Sequence, residues 1–353
     1  DYEARLDMIR HWRNEWHFRI GVHHLRGLID GPAAAAQYAD LARAILVVLW
    51  PIVTDQFAKR HGVPPGRGAV VLGMGSLGVG RLNADSDLDL IVVYDPLEVD
   101  MSDGKKSLPT RLYYARLTQA LITALTAPMA QGRLYEVDMR LRPSGNQGPV
   151  ATSWSAFQSY QADEAWVWEH LALTRAAVIA GPEDLAADVE AFRARILKRP
   201  RDLADVAAEV ADMRARIQSA KASGSVWEPK IGAGRMQEIE LVAQAGALLT
   251  GSTARDTKTG LRSAVAAGLL SDAAETEIQH TYALCFAVQM AARLLSDGKL
   301  DVNELGRAGQ QFLLRIMDEE TLEAAEQKLA ALYGSANAVL NDALAPYAGK
   351  AAL

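Results

Sequence analysis

Gly73-Met-Gly-Ser-Leu-Gly78, followed by Ser86-Asp-Leu-Asp-Leu-Ile91, is the stretch on which the reading of this 353-residue chain turns. The glycine loop leaves Ala69-Val-Val-Leu72, and Leu88-Asp-Leu-Ile-Val-Val-Tyr94 comes next. Both runs are rich in β-branched and other apolar residues and read as strands. A strand running into G-x-G-x-x-G, with Asp95 ending the next strand, matches the fingerprint of a dinucleotide-binding fold. Two features speak against that reading. Val79 to Ser86 carries no apolar helical stripe to lay on a sheet, and Gly80 and Asn83 weaken any helix there. The second strand also opens on Asp87 and Asp89, for which a dinucleotide fold has no use.

Residues two apart on a strand point to one face, so Asp87 and Asp89 stand side by side. Two ionised carboxylates repel, and a site that keeps both charged usually holds a divalent cation. Arg111 to Leu125 reads as a helix, and Leu134 to Leu141 as a third strand. By alternation, Glu136, Asp138, Arg140 and Arg142 share one face of it, and Tyr135, Val137, Met139 and Leu141 the other. Taken singly, a glycine loop is ordinarily a turn and an aspartate at a strand start a cap. The ordered set of strand, Gly-Ser turn, Asp-x-Asp, strand and Asp fits the needs of nucleotidyl transfer. Backbone N–H groups at Gly75 and Ser76 would cradle phosphates, and Asp87 and Asp89 would hold Mg²⁺. Asp138 would share a metal and orient or deprotonate the attacking hydroxyl.

The flanks are helical. Leu6, Ile9, Trp12, Trp16 and Ile20 recur at three- and four-residue spacings, Asp30-Gly-Pro32 breaks the run, and a second helix is expected from Ala33 to about Arg60, bent at Pro51. From Ser153 onward the sequence is Ala- and Leu-rich without convincing strands, its helices set off by Gly181-Pro182, Pro200, Ser223-Gly-Ser, Gly251-Ser and Asp297-Gly298. The expected division is a helical preface over 1–66, an α/β core over 67–152 and a helical region over 153–353, itself divisible into 153–222 and 223–353. Half the residues are hydrophobic and the formal charge is −6, which suits a globular chain and argues against one that coats nucleic acid. The single Cys285 excludes an intramolecular disulfide and a multi-cysteine zinc site. The apolar run Ala44 to Val53 falls short of a membrane span, and the charged stretch Asp1 to Asp30 is unlike a signal peptide. A cytoplasmic protein with no membrane partner is the expectation.

The Gly73–Gly78 loop with Ser86–Ile91 resembles the signature of the DNA polymerase β-like nucleotidyltransferase superfamily. Tyr135-Glu-Val-Asp-Met-Arg-Leu-Arg-Pro-Ser-Gly145 and Ser159-Tyr-Gln-Ala-Asp-Glu-Ala-Trp-Val-Trp-Glu-His170 narrow this to a resemblance to the glutamine synthetase adenylyltransferase family, running from Phe18-Arg-Ile-Gly21 to about Gln244. The resemblance implies an α+β fold: a mixed nucleotidyltransferase sheet with flanking helices, preceded by helices and followed by a helical bundle. It further implies ATP and Mg²⁺, a tyrosine of glutamine synthetase as acceptor, and a PII-type signal protein as a second partner. Arg140, on the charged face of the third strand, is a candidate phosphate-facing cation, and Lys230 is open between reaching an anion in the site and lying solvated on a loop. It implies one module of a bifunctional enzyme, most similar to the adenylylating half. Two alternatives stand beside it: the deadenylylating, phosphorolytic half, and a non-catalytic module that binds nucleotide or a signal protein. This chain departs from the family pattern at Ser76, where a lysine is usual, and within Gly234-Arg-Met-Gln-Glu-Ile-Glu-Leu241, where Arg235 replaces a glycine and Leu241 an aromatic residue.

The other notable side chains have ordinary readings. Trp166 and Trp168 do not share a helix face, which suggests core packing for one and an interface for the other. His170 is read as a hydrogen-bonded histidine and Cys285 as a core residue. His23-His24 have a poor chelating spacing. Glu238 and Glu240 are open between helping to place a metal or target and making salt bridges.

Overall fold

The computed structural model describes residues 1–220 and 224–349. Ser223, the first residue of the expected Ser-Gly-Ser loop, lies outside the described residues. Among those described are five strands, namely β1 (Gly68–Gly73), β2 (Leu88–Asp95), β3 (Val137–Asp138), β4 (Ala151–Ser153) and β5 (Ala177–Ala180). The α-helices are α1 (Tyr2–Leu25), α2 (Gly31–His61), α3 (Gly75–Val79), α4 (Thr110–Thr126), α5 (Trp154–Ser159), α6 (Val167–Leu173), α7 (Glu183–Leu197), α8 (Leu203–Ala220), α9 (Met236–Thr250), α10 (Thr257–Ala266), α11 (Asp272–Leu295), α12 (Arg307–Met317) and α13 (Leu322–Leu344). The class is α+β. The chain forms two compact units, one of Asp1–Ile20, Ala36–Leu82 and Ser86–Ile196, the other of Gly21–Ala35, Asn83–Asp85 and Leu197–Leu353.

The first unit carries the sheet, in the order β3-β2-β1-β5, with β4 also on β2. β1 pairs antiparallel with β2 and β5, while β3 and β4 run parallel to β2. The alternation of β2 explains its two-sided burial. Ile91 and Val93 face a core that Val70, Leu72, Phe157, Val189 and Phe192 complete. On α4, Tyr113, Tyr114 and Leu117 are buried, and the Tyr114 ring stacks on Tyr94 with 4.3 Å between centroids. A sheet buried on both faces needs near-continuous apolar strands, which is what Leu88–Tyr94 supplies apart from Asp89.

The third strand is shorter than its alternation suggests. Pairing stops after Asp138 because the Asp138 carboxylate turns back to accept the N–H of Arg140 at 2.8 Å, a local side-chain bond that replaces the ladder. The expectation of no strands after Ser153 is also corrected: Ala177-Val-Ile-Ala180 closes the far edge of the sheet on β1. Four residues bounded by Gly181-Pro182 are too few to show a period. α2 continues through Pro51. By length and apolar composition alone α2 could cross a membrane, more than the run Ala44 to Val53 suggested. Its Tyr38, Ala42, Ile45, Leu46, Leu49 and Val53 recur at helical spacing and are buried, which is also the pattern of a core helix.

The second unit is helical around a buried polar hub. Glu238 on α9 is wholly buried; it accepts from Arg214 Nε at 2.9 Å and Gln218 Nε2 at 2.6 Å, both on α8, and from the Gly234 N–H at 2.9 Å. Arg214 also donates to Asn337 on α13 at 2.9 Å. Cys285 is buried in the same unit, and burial pushes its thiol up to about 12. A buried carboxylate is tolerable only while its partners hold it. Arg214→Met therefore destabilises the second unit by about 3–5 kcal/mol, measured by chemical unfolding followed at Trp227. A loss below about 1 kcal/mol, the range of an exposed ion pair, would contradict the hub.

Candidate active site

The site is set by register. Gly73 lies opposite Leu90, and the N–H of Met74 donates to the Asp89 carbonyl at 2.9 Å, so the glycine turn begins beside the Asp-x-Asp segment. Across the other edge of β2, Asp89 is aligned with Asp138. The result brings Asp87, Asp89 and Asp138 together, with one carboxylate oxygen from each within 4.8 Å of the others. Asp87 is exposed, while Asp89 and Asp138 are half-buried. The donor set is all oxygen, which suits a hard cation such as Mg²⁺ rather than zinc.

Two glycines make this approach possible. Gly75 has φ +51°, and a Cβ there would stand 2.6 Å from Asp89 Oδ2. Any side chain would therefore displace the carboxylate as well as strain the backbone. Gly78 lies so close to the Arg175 carbonyl that a Cβ would overlap it at 1.8 Å. Between them Ser76, half-buried, and buried Leu77 complete the turn of α3. The first N–H groups of a helix have no partner within it. Arg43, on α2, donates to the Leu77 and Gly78 carbonyls at 3.2 Å each and fixes the other end of the turn. Sequence reasoning missed Arg43. It lies more than thirty residues upstream, and no local pattern marks it.

Arg140 stands where the acids gather. It is exposed, yet its Nε donates to Asp138 Oδ2 at 2.7 Å and its terminal nitrogen pairs with the same oxygen. This guanidinium, with the Arg140 N–H, holds the Asp138 carboxyl below the usual range against the opposing effect of burial. Asp89 and Asp87 act on Arg140 in turn, holding its charge more firmly. Arg142 is turned to backbone work, donating to the carbonyls of Met139 at 2.7 Å and Gly148 at 3.3 Å.

The remaining residues named from sequence divide between the two units. Lys230 is exposed in the second unit, where its backbone N–H donates to the Glu228 carboxylate at 3.0 Å. Glu238 is consumed by its hub, and Glu240 accepts from the Tyr282 hydroxyl at 3.1 Å. Arg235 is buried, donates to the carbonyls of Ser225, Glu228 and Ile231, and lies over the Tyr333 ring. Its departure from glycine is accommodated by packing. In the first unit, His170 Nε2 meets the Gln161 carbonyl at 2.9 Å. Glu169 takes the Tyr160 hydroxyl at 2.9 Å and the Trp166 N–H at 3.0 Å, a helix cap that its place three residues after Trp166 could have signalled. The expectation for the tryptophans is corrected. Trp166 and Trp168 are both exposed, because α6 begins at Val167 and buries Glu169, His170, Leu171 and Leu173 instead.

A small mixed sheet that presents a glycine turn and three carboxylates at one end has the nucleotidyltransferase fold. Residues 1–192 match the model of the family described as glutamate-ammonia ligase adenylyltransferase, and the chain belongs to that family. It is similar to the bifunctional glutamine synthetase adenylyltransferase/adenylyl-removing enzyme of Mesorhizobium japonicum, 42% identical over 322 residues, covering 90% of this chain and 33% of that protein. The protein of the same name from Rhodopseudomonas palustris strain TIE-1 is 37% identical over 347 residues, 96% of this chain and 35% of the relative. That from Brucella suis is 44% identical over 245 residues, 69% and 25% respectively. The chain thus spans about a third of the length of the curated relatives it matches.

The Arg140 contact gives a directional expectation. With its pKa depressed by Arg140, the Asp138 carboxylate contributes stability that is present at neutral pH and lost as pH falls through that lowered value. Arg140→Met moves the Asp138 titration upward, towards the ordinary carboxylate range, as read from the carboxyl carbon shift by NMR. An unmoved titration would show that Arg140 does not govern it.

Proposed function

We propose that this chain transfers AMP from Mg-ATP to a tyrosine hydroxyl of glutamine synthetase. The observation that supports this most directly is the convergence of Asp87, Asp89 and Asp138 beside the Gly75-Ser76 turn. Asp87 and Asp89 hold Mg²⁺, with Asp138 as a third ligand. When bound, the metal neutralises phosphate charge and favours departure of pyrophosphate. Gly75 and Ser76 offer backbone N–H groups to the phosphates, an interaction that needs no side-chain charge and so tolerates serine where relatives of the family have lysine. Arg140 is mobile enough, as an exposed side chain, to exchange Asp138 for a phosphate oxygen. Asp138 is held ionised by Arg140 before nucleotide binds; once Arg140 turns to the phosphate, the bound cation would keep that charge, and Asp138 accepts or orients the acceptor hydroxyl proton. Most of the rate comes from holding hydroxyl and α-phosphate in line.

The acceptor rests on membership of the family and on the relatives' names; because those names cover both attachment and removal of AMP, the direction rests on the resemblance of Glu164-Ala-Trp-Val-Trp-Glu-His170 to the adenylylating half. A PII-type signal protein as a regulatory partner and a cytoplasmic location belong to the same proposal. The module is read as acting within a longer bifunctional protein, which gives its acidic surface a protein partner rather than nucleic acid. Arg235, which stands where the family pattern has glycine, is buried and bonded to three carbonyls, so packing accounts for it without a loss of activity.

Asp87→Asn and Asp89→Asn each lower transfer of labelled AMP to glutamine synthetase by about a hundredfold or more, with the thermal transition no lower than that of the parent protein. Transfer retained in both variants would overturn the assignment. Incubation of adenylylated glutamine synthetase with the protein and phosphate should release no ADP. Its release would assign the opposite reaction.

A further inference from the structure

Between α1, α2 and α4 of the first unit lies a cavity of about 690 Å³, lined by none of Asp87, Asp89 and Asp138. Its size falls in the range of small-molecule sites. Leu6, Val53, Phe57 and Ala120 give it an apolar wall. Its charge is unusual for a chain of net −6: Arg10, Arg60 and Arg116 line it against one acid, Glu3.

Arg10 is the most informative of these. It is fully buried, and its donors go to backbone carbonyls: Leu6 at 3.1 Å, Ala124 at 2.8 Å, Ala127 at 3.2 Å and Gly132 at 2.9 Å. Buried charges are ordinarily paired with an opposite charge. Asp7 acts on Arg10 only through space, without a hydrogen bond to it, and burial draws the guanidinium's pKa down. Arg60 and Arg116 are exposed, and neither makes a side-chain hydrogen bond or ion pair among the described residues. His61, nine-tenths buried, also lines the cavity and packs against Phe57 with 4.5 Å between centroids. A carbonyl can only accept, so the 2.7 Å contact of His61 Nδ1 with the Lys106 carbonyl places the hydrogen on Nδ1. In the neutral ring, Nε2 is then the acceptor.

We propose that this cavity is a binding site for an organic anion with an apolar, ring-containing body and one hydrogen-bond donor. The body lies against Phe57 and Ala120, the charge meets Arg60 and Arg116, and the donor meets His61 Nε2. Four carbonyls fix Arg10, so that wall of the cavity and its positive charge are in place before the ligand arrives. Arg10 holds the α4 terminus and Gly132, and the Leu125 carbonyl accepts the N–H groups of Leu134 and Tyr135 just before β3. The proposal does not rest on AMP transfer, and a failure of that activity would leave it testable.

Fluorescence titration with 8-anilinonaphthalene-1-sulfonate, an aromatic anion with one N–H, tests it against N-phenyl-1-naphthylamine, the same body without the charge. The anion is expected to bind saturably at one site per chain, at least about tenfold more tightly than the neutral compound. Arg60→Glu with Arg116→Glu removes that preference and leaves the neutral compound unaffected. Ala120→Trp, which fills the cavity, abolishes saturable binding of both while the circular dichroism spectrum is retained. Equal binding of anion and neutral compound, or anion binding unchanged in the two variants, would overturn the proposal.

Discussion

Like charge held at close range is the constraint around which the first unit is arranged. Asp87, Asp89 and Asp138 keep carboxylate oxygens within 4.8 Å of one another, an arrangement that costs energy unless positive charge faces it. Every nearby feature bears on that cost. The parallel pairing of β2 with β3 brings Asp138 level with Asp89. The missing side chain at Gly75 leaves room for the Asp89 carboxylate. Arg140 supplies a cation that is exposed, and therefore exchangeable, rather than one locked into the core. The tight pairing of β1 with β2 and the burial of both sheet faces provide a frame stiff enough to oppose the repulsion.

Buried Arg214 and Arg10 and exposed Arg140 illustrate how burial sorts one residue type into different roles. Arg214 is matched by the Glu238 carboxylate, and that pair organises three helices of the second unit. Arg10 has carbonyl partners only, which fixes α1 to the end of α4 but leaves its charge unmatched at a cavity wall. Arg140 keeps most of its surface in solvent and meets a carboxylate at the site. The same guanidinium is a structural tie, an electrostatic source or a movable ligand according to what surrounds it.

Much of the site could be read in the sequence, for a physical reason. A strand has period two, so Asp87 and Asp89 must share a face, and a glycine turn after an apolar strand is a local pattern. Asp138 was legible through the charged alternation of residues 136–142, although that alternation overstated the strand. Asp138 itself ends the pairing by bonding to the Arg140 N–H, a competition that periodicity does not register. β5 was missed because four apolar residues carry no period, and Arg43 because its contacts with the Leu77 and Gly78 carbonyls join distant segments. Sequence alone places Trp166 and Trp168 on different faces of one helix, one of them in the core; Trp166 instead precedes α6, and the position of the helix start decides which face turns inward.

The central claim is that the three aspartates form a cation site beside the glycine turn. Anomalous diffraction from crystals grown with Mn²⁺ and a non-hydrolysable ATP analogue tests it most directly. The expected result is a manganese peak within coordination distance of the Asp87 and Asp89 carboxylates, with the phosphates at Gly75 and Ser76 and Arg140 released from Asp138. Nucleotide bound with no peak at these carboxylates, or a peak that persists in Asp87→Asn/Asp89→Asn crystals, would contradict the account.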